Sequence, residues 1–130
     1  MTESKINEYS PLALAYLGDA VFELKVRCFV VSAGNRQAKK LHNASRNYVN
    51  AKSQSEMYLY IFEKVSEKEQ GILLRGRNAK PYSIPKNASL LEYKYATGLE
   101  SLFGYLKLAE NETRIDEIFN LCLEAMESQI

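Results

Sequence analysis

The 130-residue sequence is poor in the residues that mark secreted, metal-binding and membrane proteins: two cysteines, one histidine and no tryptophan. Cys28 and Cys122 lie far apart and match no metal-binding spacing, so we expect buried free thiols in a reducing cytoplasm. No apolar run approaches the roughly 20 residues needed to span a bilayer. The N-terminal MTESKINEYS lacks the apolar core of a signal peptide. A cytoplasmic protein without a membrane partner is predicted.

The sequence also lacks any alternating strand pattern of useful length, which predicts an all-α protein forming a single domain over residues 1–130, with its core at about 11–128. No serine or cysteine nucleophile motif accompanies His42, so we expect a polar contact near the core edge rather than a catalytic base.

Helix-start signals and apolar periodicity predict where the helices lie. Ser10-Pro11 starts a helix over 11–32, and residues 35–70 form one long helix or two in series. Ser66 caps a short helix that ends near Leu74, and residues 75–88 form an exposed loop. Ser89 starts a helix to about Leu108, and Thr113 caps the last one.

The first of these helices is apolar over most of its surface but carries Asp19 and Glu23, one turn apart on the same side. A carboxylate on a largely buried helix is costly unless it is paired, hydrogen-bonded or bound to a metal. A structural ion pair, such as Glu23 with Arg27, explains the pattern as well as a functional site does. Gly18 indicates a close backbone approach, either at a self-associating face or within the chain.

Glu100 lies in the middle of a second apolar helix, much as Asp19 lies in the first. Two carboxylates from two buried helices can converge on Mg²⁺, which prefers a few carboxylate oxygens and keeps several waters. A cation held in this way promotes phosphodiester hydrolysis without a covalent nucleophile. Whether Asp19 and Glu100 meet does not follow from the residues alone.

Basic residues are concentrated in two blocks. Residues 24–55 contain seven Lys or Arg and no acid, and residues 70–95 contain five basic residues and one acid. Residues 101–130, by contrast, contain two basic and six acidic residues. Two basic blocks on one face would bind a polyanion, and a solvated surface explains each block equally well. The same alternatives apply to the basic loop at 75–88, where RNA phosphate and sugar contacts compete with simple solvation.

Four segments, in order, resemble the ribonuclease III family. LGDAVFE at 17–23 matches the signature segment of that family. RGRNAK at 75–80, PKNA at 85–88 and YKYATGLESLFGYLKL at 93–108 resemble its Mini-III branch, whose members consist of the nuclease domain alone. The resemblance covers about Leu12 to Leu108. It implies a helical endonuclease domain that works as a homodimer, with the signature helices at a two-fold interface and one site per subunit.

The resemblance also implies that Asp19 and Glu100 are the catalytic residues and hold Mg²⁺, with Mn²⁺ as a possible substitute. Two further site acids of many family members are replaced here by Ala15 and Thr97, as is typical of Mini-III. Phosphate oxygens and water would then complete the metal shell. Glu23 is a further candidate, as a group that contacts a metal ligand and not the metal itself.

The implied activity is cleavage of double-stranded RNA, with the large-subunit (23S) ribosomal RNA precursor as the substrate. Without a second RNA-binding domain, the catalytic domain itself must grip the duplex, and the candidate residues are Arg46, Lys52, Arg75, Arg77, Asn78, Lys80, Lys86 and Asn87. A catalytically silent RNA-binding module on the same fold and a helical dimer without a nucleic-acid role are the competing hypotheses.

Overall fold

The computed structural model describes residues 1–81, 83 and 89–128, which form seven helices and no strand. The all-α prediction is therefore confirmed. In chain order the helices are α1 (Glu3–Ile6), α2 (Pro11–Ser32), α3 (Ala38–Arg46), α4 (Ala51–Phe62), α5 (Glu67–Asn78), α6 (Leu90–Leu108) and α7 (Glu112–Glu127). None of these helices combines the length and the apolar character needed to span a lipid bilayer.

Side-chain caps account for the helix starts. The hydroxyl of Ser10 accepts a hydrogen bond from the backbone N–H of Ala13 at 3.1 Å, and Pro11 occupies the first helical position, as predicted. Ser66 forms a complete capping box with Glu69, and Ser89 accepts from the N–H of Glu92. The predicted cap of the last helix was wrong by two residues, because Asn111 caps α7 instead of Thr113.

Three helix predictions need correction or completion. The 35–70 region forms two helices in series before α5, and the four-residue α1, which buries Ile6 in the core, was not predicted. The helix after Ser66 does not end near Leu74 but continues through Asn78. Gly76, which suggested a loop, is a packing residue in α5: a Cβ atom there would lie 2.7 Å from the Cα of Gly98.

Helix α6 is the centre of the fold, with α2, α4 and α5 packed around it. Its contact with α2 runs backbone to backbone through two glycines. A Cβ atom on Gly18 would lie 1.6 Å from the carbonyl oxygen of Glu100, and one on Gly104 would lie 1.9 Å from that of Leu14. Of the two explanations for Gly18, the structure therefore supports close packing within the chain.

Helix α2 has one buried face and one exposed face, so the expectation of a largely buried helix was wrong for the single chain. Phe22 and Val26 are fully buried, and Phe22 packs against Phe103 with ring centroids 5.5 Å apart. On the opposite face, Tyr16 is 85% exposed, Leu24 61% and Val31 56%.

Two further side chains are more exposed than expected. Leu91, at an apolar-periodic position of α6, lies exposed in the first turn of this helix. Cys28, on α2, is exposed and not buried. Cys122 is buried as predicted, and burial raises the pKa of its thiol.

One buried carboxylate, Glu69, is fully paired. Arg114 of α7 donates from Nε and Nη2 to the two oxygens of Glu69, both at 2.7 Å, and the N–H of Ser66 donates to Oε1 at 2.9 Å. Burial acts to raise the pKa of Glu69, but the hydrogen bonds from Arg114 and Ser66 outweigh it and lower the pKa below its ordinary value. This pair joins α5 to α7.

Candidate active site

Asp19 of α2 and Glu100 of α6 meet at one pocket. The glycine contact brings the two helix backbones together at Gly18 and Glu100, one residue before Asp19. Both carboxyls line a pocket of about 230 Å³. The other residues lining it are Leu12, Ala15, Tyr16, Tyr93 and Thr97. The convergence that the sequence alone left open is therefore present.

The two carboxyls have different surroundings. Asp19 is exposed, whereas Glu100 is mostly buried. Burial, the nearby negative charge of Asp19 and a hydrogen bond between the two side chains raise the pKa of Glu100 to about 9. The Gln54 side chain, which lies beside this carboxyl, acts in the opposite direction and lowers the pKa. At neutral pH the pair therefore holds a proton and carries less than its full negative charge.

A pair of carboxyls in such a pocket suits a hard divalent cation. The described part of the chain contains no cluster of three or more His, Cys, Asp or Glu that would form an all-protein cage. Mg²⁺ does not require one, because it commonly uses one or two carboxylates and keeps several waters. Asp19 and Glu100 are the residues that would hold the cation.

The two positions where many ribonuclease III enzymes have further acids line the same pocket. Ala15 has a methyl side chain and contributes no ligand. Thr97 donates its hydroxyl to the backbone oxygen of Tyr93 at 3.0 Å within α6. Neither residue adds a negative charge, and the remaining oxygen ligands would come from water or a bound phosphate.

Glu23 does not line the pocket that contains Asp19. It accepts a hydrogen bond from Nη2 of Arg27 at 3.0 Å, the ion pair that was the structural alternative. It also lines a separate groove of about 480 Å³ between α2 and α3. His42, for which a polar contact near the core edge was expected, is exposed and lines this groove too. Neither residue lines the Asp19–Glu100 pocket.

The predicted RNA-binding residues are distributed over several elements. Arg46 ends α3 and lines the groove beside α2, and Lys52 lies in the first turn of α4. Both side chains are exposed. Lys80 is exposed just beyond α5, while Lys86 and Asn87 lie outside the described residues.

The end of α5 carries Arg75, Arg77 and Asn78, which were predicted to lie in a loop. Arg75 and Asn78 are exposed. Arg77 is half-buried, because its Nε donates to Oδ1 of Asn78 at 3.0 Å and its guanidinium lies 5.9 Å from the ring centroid of Tyr95. A helix thus presents these groups in a fixed arrangement, with Arg77 partly committed to contacts within the chain.

Sequence reasoning missed Gln54, a buried amide on α4 whose side chain reaches Glu100. The available signal was a glutamine one turn before Tyr58 on the apolar stripe of this helix. That signal does not reveal which group the amide faces.

Comparison with known proteins identifies the family. Residues 12–111 match the family model described as the ribonuclease III domain. The chain belongs to the ribonuclease III family. A Mini-ribonuclease 3 of Enterococcus faecalis is 41% identical over 115 residues, which is 87% of each chain. A Mini-ribonuclease 3 of Thermoanaerobacter sp. is 39% identical over 127 residues, covering 98% of this chain and 89% of the relative.

A solved structure is similar to this one. The crystal structure of a protein from Fusobacterium nucleatum superposes with a TM-score of 0.81 at 35% sequence identity, covering 93% of this chain and 97% of that one. The fold is thus that of the ribonuclease III domain, and the protein is an endoribonuclease of the Mini-III type. Enzymes of this family act on double-stranded RNA and generally use a divalent metal ion.

Proposed function

We propose that this endoribonuclease cleaves double-stranded RNA with Mg²⁺ held by Asp19 and Glu100. The observation that carries the proposal is the raised pKa of Glu100, which results from burial beside a second carboxyl. Neither carboxyl forms a salt bridge with a described residue. Carboxyls brought together without a cationic side chain favour a cation from solution.

The roles of the side chains follow from their exposure. Mg²⁺, when bound, supplies charge neutralisation at the phosphodiester and activation of a water for hydrolysis. Glu100 anchors the inner end of the pocket, and the exposed Asp19 faces incoming substrate. Tyr16 and Tyr93 line the pocket as well and border the space that a phosphate would enter.

The active form that we propose is a homodimer with α2 at the interface. Tyr16, Leu24 and Val31 are large apolar residues on α2, and all three are more than half exposed in the single chain. Pairing α2 with its copy would remove this apolar face from water. Tyr16 also lines the Asp19 pocket, so the interface would adjoin the site, and two sites would face one duplex.

We propose that the exposed basic residues grip the duplex, and that the substrate is the precursor of 23S ribosomal RNA. Arg46, Lys52, Arg75 and Lys80 are exposed and suited to phosphate contacts. The Mini-III resemblance supports the choice of substrate, and the Mini-ribonuclease 3 relatives support that resemblance.

The test is cleavage of an end-labelled RNA duplex, with Mg²⁺ or with EDTA. We expect wild type to cut both strands only with Mg²⁺, and Glu100→Ala and Asp19→Asn to lose about a thousandfold or more in rate. Glu23→Gln is the matched control, because it removes a carboxylate from α2 outside the pocket.

The outcomes separate the hypotheses. Unchanged cleavage by Asp19→Asn would refute the site assignment. Wild-type protein that binds several duplexes, including a ribosomal precursor stem, but cuts none would indicate the silent RNA-binding module. Size measurement by light scattering tests the dimer, which Leu24→Glu should dissociate.

A further inference from the structure

Gln54 combines deep burial with an unused hydrogen-bond donor. Its side chain is only 5% exposed in α4. Its Nε2 has no hydrogen-bond partner among the residues that the structure describes. Buried polar groups without a partner are uncommon because they lose their hydration without compensation, so the position of this amide calls for an explanation.

The amide is held at the Glu100 carboxyl by the packing of α4 on α6. Asn50 caps α4 by accepting from the N–H of Ser53 at 2.8 Å, and Tyr58, one turn after Gln54, lies against Gly98 of α6. The side chain of Gln54 therefore lies beside the Glu100 carboxyl, but its Nε2 does not complete a hydrogen bond there. Ser53 and Tyr58 are buried, so this part of α4 is anchored on both sides of the amide.

An amide at position 54 is better suited than a charged side chain to orient a metal-binding carboxylate. A lysine or arginine at this place would neutralise Glu100 and repel a metal ion. An amide donates a hydrogen bond without a full charge, so it can fix one carboxylate oxygen and leave the other free for a cation. A glutamine with an open donor is thus suited to orient a metal-binding carboxylate.

We infer that Gln54 is a positioning residue for Glu100, whose ionised carboxylate accepts a hydrogen bond from Nε2 when it binds the divalent cation. This inference rests on the proposed function, in which Glu100 is a metal ligand. Gln54 acts through Glu100 and touches neither the cation nor the RNA. A purely structural amide would contribute to stability but would not change metal affinity.

The test is Mn²⁺ binding to the RNA-free protein, followed by electron paramagnetic resonance. We expect Gln54→Met to weaken Mn²⁺ binding about tenfold, the low end of the range for groups that orient metal ligands. Its melting temperature should stay at or above that of wild type, because the substitution removes an unpaired buried donor. Higher Mg²⁺ concentrations should also be needed for half-maximal cleavage.

Gln70→Met is the matched control. Gln70 is a half-buried amide whose Nε2 already donates to the backbone oxygen of Phe62 at 2.7 Å. Its substitution should lower the melting temperature and leave Mn²⁺ binding unchanged. Wild-type Mn²⁺ affinity in Gln54→Met would overturn the inference.

Two further measurements keep the inference distinct from the proposed function. If Glu100→Ala loses Mn²⁺ binding while Gln54→Met does not, only the role of Gln54 fails. If Glu100→Ala binds Mn²⁺ and cleaves normally, the site assignment fails as well. In wild type, the side-chain amide NMR signal of Gln54 should shift on Mg²⁺ addition, and an unshifted signal at saturating Mg²⁺ would contradict the hydrogen bond.

Discussion

Glu69 and Glu100 are both carboxylic acids on packed helices, and their surroundings are opposite. Glu69 receives two hydrogen bonds from Arg114 and one from Ser66, which lower its pKa despite burial. Glu100 faces Asp19 instead, and burial together with this second carboxyl raises its pKa to about 9. One acid is ionised and paired within the chain, and the other is kept protonated at neutral pH.

The contrast separates a structural acid from a site acid in physical terms. A buried charge with a full set of partners holds two helices together and has no capacity left for a ligand. A buried carboxyl beside a like charge destabilises its own ionised form, and a cation from solution relieves this cost. We therefore propose Glu100 as a metal ligand because, unlike Glu69, it has no cationic partner among the described residues.

The largest expected effect comes from breaking the helix contact that creates the Asp19–Glu100 pair. Gly18→Ala forces a Cβ atom into the Glu100 carbonyl, so α2 and α6 must separate. We expect a loss of more than about 3 kcal/mol in the free energy of unfolding, beyond ordinary overpacking because backbone atoms must move. Urea unfolding measures this loss, and cleavage should fall as the carboxyls move apart.

Gly71→Ala is the control for this substitution. Gly71 lies inside α5, and a Cβ atom there would meet nothing within 4 Å. Alanine should stabilise the protein by about 0.5 to 1 kcal/mol through helix propensity. Equal stability of Gly18→Ala and wild type would contradict the close contact.

The second prediction concerns the loss of stability on replacing Glu69, the acid that is paired with Arg114. Glu69→Gln should lower the free energy of unfolding at pH 7 by about 2 kcal/mol, less than for a fully buried pair because the Arg114 side chain remains 27% exposed. Because the folded-state pKa of Glu69 is lowered, its contribution is present above the ordinary pKa of 4.5 and disappears as the pH falls through the folded value. Wild type and variant should therefore converge in acid, and a constant difference from pH 7 down to pH 2 would be evidence against the ion pair.

The last substitution, at Glu100, should raise the free energy of unfolding, and its effect should grow as the pH rises. The folded-state pKa of Glu100 is raised, so metal-free wild type loses stability as the pH rises from about 4.5 towards 9. Glu100→Gln has no proton to lose and should be more stable than wild type at pH 9 by about 1 to 3 kcal/mol. Thermal unfolding in EDTA across this range measures the difference, and a Glu100→Gln variant less stable than wild type at pH 9 would reverse our account of this site.

Much of the fold follows from local sequence signals. Ser10-Pro11, Ser66 with Glu69, and Ser89 are capping signals within a few residues of one another, and the helices begin where these residues predict. The end of α5 was misjudged because glycine and asparagine between basic residues resemble a loop. Only the neighbouring Gly98 on α6 explains why Gly76 is in a helix.

The sequence analysis identified the two acids of the candidate site, but it did not establish that they lie side by side. Asp19 and Glu100 stand out as acids on apolar helices, and the family resemblance identified them as a pair. Their meeting depends on Gly18, whose partner is 82 residues later in the sequence. Gln54 has no motif, and its place beside Glu100 emerges only when α4 packs against α6.

The most direct test of the central claim is the Mg²⁺-induced rise in melting temperature, measured without RNA at pH 8. We expect a rise for wild type and an equal rise for the less stable Glu69→Gln, because ligand binding stabilises only the state that has the site. Glu100→Gln should start from a higher melting temperature and show no rise. A full Mg²⁺-induced rise in Glu100→Gln would contradict the claim that the unpaired acid is the metal ligand.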